Sequence, residues 1–201
     1  MSKGRLEAFS DGVLAIIITI MVLELRPPDG TSLDDLAPLW PHFLAYLLSF
    51  ANIGIYWNNH HHLFQASRTV DGRVLWANLL LLFSLSLIPF GTAWMGEHEF
   101  AAIPVALYGV VLVFAACAYF VLLHALIAAP GQTPALAEAV GRDAKGLLSI
   151  LAYMVATPLA LGLPLVAFGI YVVVAVMWIV PDRRMERSLQ ASSTVEPGRR
   201  P

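Results

Sequence analysis

The sequence predicts an all-α integral membrane protein with six transmembrane helices per subunit. Three observations predict it. Of 201 residues, 58% are hydrophobic and only 13% charged, with a mean hydropathy of +0.72, whereas a soluble domain is about 25% charged. The few charges leave long uncharged intervals. The basic residues then fall on one side of the topology those intervals define. This composition excludes an ordinary soluble enzyme, a disordered chain and a nucleic-acid binder. The single cysteine, Cys117, excludes an intramolecular disulfide and a thiolate metal cluster.

The first segment is the unusual one. Only the 12 residues Gly12 to Leu23 lie between Asp11 and Glu24, whereas a spanning helix needs about 20 apolar residues to cross ~30 Å of hydrocarbon. It reaches that length only by including Glu7, Asp11 and Glu24. It ends in Leu23-Glu24-Leu25-Arg26, not in a small-x-small cleavage site, which argues for a spanning helix over a signal peptide. A spanning helix that carries carboxylates belongs inside a bundle or beside water.

The later spans follow from the uncharged intervals. Leu36 to Ser67 is uncharged, with a helix expected from Trp40 to Phe64. Arg73 to Glu97 brackets a third span, and Ala101 to Ala128 forms a fourth. Gly146 to Pro181 is also uncharged, but as one helix it would be about 54 Å long. Pro158, Gly162 and Pro164 interrupt it, so the expectation is two short helices, Gly146–Leu161 and Pro164–Pro181, joined by a tight turn. Orientation supports the hairpin independently. With a cytoplasmic N-terminus and six spans, all but one of the 12 Lys and Arg residues lie inside, and Arg26 alone lies outside. A single span over Gly146–Pro181 would put Arg183, Arg184, Arg187, Arg199 and Arg200 outside and split the basic residues evenly. The expected organisation is a six-helix membrane domain at 1–181 and a basic, disordered cytoplasmic tail at 182–201. Both termini are then cytoplasmic in a multi-pass protein of the cell membrane. The outer side carries Asp29, Asp34, Asp35, Glu97 and Glu99, with Glu24 at its boundary. Such a surface raises local cation concentration, although inside bases leave acids outside in any case.

Ile16, Ile20 and Leu23 stand at i, i+4 and i+7 of the first helix and share a face, with Gly12 and Thr19 on the same side. Ordinary helix packing leaves such stripes too. The flanking Asp11 and Glu24 favour a helix that borders water at both ends. Asp11 can alternatively pair with Arg5 or with a histidine of another span. The second span closes with Tyr56-Trp57-Asn58-Asn59-His60-His61-His62. Successive helical residues point about 100° apart, so three adjacent histidines do not converge on one metal ion, and none is expected. Pairing of one or two of them with Asp11 or Ser10 is the preferred reading. Ser49, Asn52, Asn78, Ser84, Ser86, Thr92, Ser149 and Thr157 read as hydrogen-bonding bridges between helices. No phosphate-binding loop, His-Glu-x-x-His helix or nucleophile elbow is present, so the chain is not read as an enzyme.

Arg5-x-x-x-Phe9-Ser10-Asp11, continued by Gly12 to Thr19, resembles the opening of the transmembrane protein 175 family of potassium channels, in its prokaryotic form. Tyr56-Trp57-x-x-His60-His61 and Pro89-Phe90 are similar to that family as well. The resemblance implies a homotetramer with the first helix lining a central pore. It implies a hydrophobic constriction at Ile16, Ile20 and Leu23, and potassium preference at a Thr19 ring. It also implies a polar network of Arg5, Ser10 and Asp11 with Trp57, His60 and His61. The partners implied are potassium ions and the lipid bilayer, with no cofactor. The alternative is a secondary transporter or proton pathway built on Asp11 and the second-span histidines.

Overall fold

A computed structural model describes residues 2–132 and 144–179. The expected tail at 182–201, and the end of the sixth span at Pro181, lie outside the described residues. The described chain is all helical, as the uncharged intervals predict. The first helix, α1, covers Lys3–Leu23 and so includes Glu7 and Asp11, with Glu24 as its C-cap. After a short 3-10 helix at Leu33–Leu39, α2 covers Trp40–Ala66. The third span is two helices, α3 at Gly72–Ser86 and α4 at Ile88–Glu97. Then come α5 at Ala102–Ile127, α6 at Ala144–Leu159 and α7 at Pro164–Ile179.

Local chemistry explains the boundaries. Asp71 caps α3, its carboxylate accepting from the Arg73 and Val74 N–H groups at 3.0 and 2.9 Å. The third span breaks at Leu87 because Pro89 has no N–H for the Leu85 carbonyl and its ring crowds that oxygen. The α6–α7 turn is as tight as the proline spacing predicts. Gly162 N–H and Leu163 N–H both bond to the Leu159 carbonyl, at 3.2 and 2.8 Å. Four of the passes are long and apolar enough to cross a membrane, whereas α6 and α7 are shorter apolar helices.

The bundle is built around α5, which packs on α3, α4, α6 and α7, while α1 packs on α2, α3 and α4. Gly109 lets α5 approach the hairpin, because a Cβ there would meet the Tyr171 hydroxyl and the Thr157 hydroxyl. Deep in the core, Ser49 Oγ lies 2.6 Å from Thr92 Oγ1 and 2.9 Å from Tyr108 Oη, and Asn52 Nδ2 lies 3.3 Å from Tyr108 Oη. Thr92 donates to the Ile88 carbonyl at 2.8 Å. Each hydroxyl carries one proton, so the direction is fixed: Asn52 donates to Tyr108, Tyr108 to Ser49, Ser49 to Thr92, and Thr92 to Ile88. At the end of the bundle holding the α1 N-terminus, Gln132 clamps the α2–α3 loop. Its Nε2 donates to Ser67 Oγ at 2.7 Å and to the Thr69 carbonyl at 2.9 Å, and its Oε1 accepts from Arg68 N–H at 2.9 Å. Gly131, at φ +81°, supplies the backbone turn that presents Gln132.

Candidate functional site

The first helix has two faces. Leu6, Ser10, Leu14, Ile17 and Met21 are buried against the bundle. The opposite face is open: Ile16 is 58% exposed, Ile20 43% and Leu23 76%, with Gly12 and Thr19 exposed alongside them. The stripe seen in the spacing is therefore the face that α1 turns away from its own subunit. From Ile16 to Leu23 it rises about 10 Å. Thr19 Oγ1 donates to the Ile16 carbonyl at 3.0 Å. That bond uses the hydroxyl proton and leaves the oxygen lone pairs facing outward, where they can receive a cation or a water proton.

Acids mark both ends of the stripe. Asp11 and Glu24 are exposed. Glu24 and Glu97 together line two basins of about 540 and 570 Å³ beside the helix. One basin also holds Arg26 and His42, and the other reaches Ile20 and Phe90.

At its other end α1 is held by hydrogen bonds. Trp57 Nε1 donates to Asp11 Oδ1 at 3.0 Å. Ser10 is fully buried and its hydroxyl donates to the Leu6 carbonyl at 2.9 Å. It can therefore only accept from Asn78, whose Nδ2 lies 2.9 Å away. Asn78 must then present Oδ1 to His60 Nε2, at 2.8 Å. An amide oxygen only accepts, so His60 carries its proton on Nε2. His60 stacks on Phe64 with ring centroids 4.4 Å apart, and His61 stacks on Trp57 at 5.9 Å. The adjacent histidines thus face different partners, and among the described residues no three His, Cys, Asp or Glu side chains are grouped to hold a metal ion.

Arg5 stands apart from this network. It is exposed, and among the described residues its side chain makes no hydrogen bond or ion pair. At about 100° per residue it starts roughly 140° from Ser10 around α1, and it makes no hydrogen bond to Ser10 or Asp11 among the described residues. Asn78 is the member that sequence reasoning left among general helix bridges. Its only signal was an amide in the apolar run of α3.

A family model described as endosomal/lysosomal potassium channel TMEM175 matches residues 5–89, which end at Pro89 of the third span. A protein named as a potassium channel in Chryseobacterium sp. (strain P1-3) is 52% identical over 190 residues, 94% of this chain and 99% of that one. A second, from Streptomyces collinus, is 38% identical over 125 residues, 58% of this chain and 61% of its own. The fold matches the crystal structure of a lysosomal potassium-selective channel TMEM175 homolog from Chamaesiphon minutus. That match has a TM-score of 0.74 at 30% identity and covers 89% of this chain and 96% of that one. These relatives are channels, not enzymes.

Proposed function

Because this chain belongs to the TMEM175 family, we propose that it is a potassium-permeable channel of the cell membrane, assembled as a homotetramer around its first helix. The observation that carries this reading is the open apolar face of α1, bounded by Asp11 and Glu24. Four copies of that face around an axis form rings at Ile16, Ile20 and Leu23. Apolar rings gate by dewetting, so the constriction conducts only when the helices part enough to admit a partly hydrated cation. Thr19 lies between the first two rings, and its outward oxygen replaces part of the water the ion sheds. Selectivity from a hydroxyl ring is modest beside a cage of carbonyls.

The proton-pathway reading is weaker. Asp11 and His60 are engaged by Trp57 and Asn78, and neither an indole N–H nor an amide hands a proton on.

The test is purified protein in liposomes, with potassium flux and reversal potentials under potassium/sodium gradients. Ile16→Asn should wet the constriction and raise current severalfold. Thr19→Val keeps the side-chain shape and should move the reversal potential toward equal potassium and sodium permeability. Unchanged conductance and selectivity in two folded variants would remove α1 from the pathway. Flux that required a coupling ion would favour the transporter.

A further inference from the structure

Inside the bundle, away from the open face of α1, four helices line a partly open cavity of about 40 Å³. Its lining includes Asn52, Tyr56 and Asn59 of α2, Tyr119 of α5, and Ser149 and Tyr153 of α6. The rings make it partly apolar, but its polar groups are incompletely used. Tyr153 is 4% exposed and Asn52 is 3% exposed. Among the described residues the Tyr56 and Tyr153 hydroxyls have no hydrogen-bond partner. Asn52 uses its amide nitrogen on Tyr108, and its oxygen is unpartnered. None of these three atoms is sealed inside packed protein. The sealed, unpartnered side-chain atoms among the described residues are Nδ1 of His42 and of His62. Two phenolic hydroxyls and an amide oxygen without protein partners therefore belong to residues that line one small void.

We propose that this cavity is a water-binding site, one per subunit, that holds a short hydrogen-bonded cluster between α2, α5 and α6. Each water needs roughly 10–15 Å³ of such space and two to four polar partners, so the cavity takes about three. The chemistry selects water over an organic ligand on size, and over a cation because no carboxylate of the described residues lines the cavity. The cluster meets the ordered chain at Asn52, the first donor in the series through Tyr108, Ser49 and Thr92 to the Ile88 carbonyl. That series ends on an acceptor with no proton to pass on. The site is therefore a terminal hydration pocket and not a second permeation path.

Crystals of the full chain, measured with and without xenon pressure at a resolution that shows ordered water, test this. The expected result is about three water peaks within hydrogen-bonding distance of Tyr56 Oη, Tyr153 Oη and Asn52 Oδ1, and no xenon there. Xenon in the wild-type cavity would identify a dry apolar void and overturn the proposal, as would a cavity without density. The Tyr56→Phe, Tyr153→Phe double variant should lose the waters at those two positions and admit xenon. Waters that persist unchanged in it would overturn the role assigned to the hydroxyls. The readout does not use ion flux, so it is independent of the proposed channel function.

Discussion

Asn78 joins three helices with one amide. Its nitrogen serves Ser10 of α1 and its oxygen serves His60 of α2. Replacing it with alanine leaves the buried His60 Nε2–H unpaired, at about 1–3 kcal/mol, and takes from Ser10 Oγ the bond it accepts while its bond to the Leu6 carbonyl remains. Asn78→Ala should therefore lower the melting temperature of the detergent-solubilised protein more than Asp11→Ala does. Asp11→Ala leaves only Trp57 Nε1 without its partner, and that group is exposed in the subunit. Its expected outcome is reduced assembly at an unchanged reversal potential. A well-folded Asp11→Ala protein with altered ion preference would make Asp11 an ion-binding residue instead. The reverse order of melting temperatures would show that the Trp57–Asp11 pair dominates. Much of this cluster was legible in the sequence. Ser10, Asp11, Trp57 and His60 stand close to the ends of their spans, where a carboxylate, a hydroxyl and an imidazole have few alternative neighbours. Asn78 was less legible because α3 is apolar on every side. Its rotational phase, and so the helix it faces, depends on packing and not on its own pattern.

The third span shows what charge spacing misses at the scale of an element. An uncharged interval measures length and is silent about a missing hydrogen bond, so Arg73–Glu97 read as one span. Past the break at Leu87, Thr92 of α4 stands 2.6 Å from Ser49. The hairpin was legible because its evidence was covalent: two prolines and a glycine within a few residues, in an interval too long for one helix. Its docking on α5 depends on Gly109. An alanine Cβ there would collide with the Tyr171 and Thr157 oxygens. Overpacking of this kind costs about 1–3 kcal/mol, and Gly109→Ala should destabilise the fold by that order. Tyr171→Phe removes the nearer oxygen, along with a long 3.3 Å bond to the Val105 carbonyl. The double variant Gly109→Ala, Tyr171→Phe should melt above Gly109→Ala alone. If the two substitutions simply add in chemical or thermal unfolding, the Gly109–Tyr171 contact is not what sets the α5–α7 distance.

Taken alone, the chain leaves large apolar side chains and one polar-edged helix face uncovered. Its outer surface carries Trp76 at 75% exposure and Phe83 at 57%, which lipid can cover. Lipid covers the α1 face poorly, because Asp11, Thr19 and Glu24 lie along it. A carboxylate at the centre of a spanning helix costs about 2.5–3.5 kcal/mol on insertion scales, and Asp11 and Glu24, nearer the two ends of α1, carry a smaller part of that cost. Turning the face toward copies of itself and toward water removes that penalty, and closed cyclic symmetry lets every copy do so equally. The expected particle in mild detergent is four chains, by native mass spectrometry or light scattering, and a stable monomer would be contrary to it. Orientation follows from the same accounting of charge. Lys3 and Arg5 at the start of α1, Arg68 and Arg73 between α2 and α3, and Lys145 at the start of α6 lie on one side if the described helices cross in sequence, whereas Arg26 lies on the other. From retention of bases in the cytoplasm we expect both termini inside, with an even number of crossings. A reporter active only in the cytoplasm should give signal at either terminus, and a periplasm-specific reporter should be silent at both. A C-terminal reporter active only outside would mean that α6 and α7 do not both cross. The bonds of Gly162 and Leu163 to Leu159 would then describe a re-entrant loop and not the turn of a spanning hairpin.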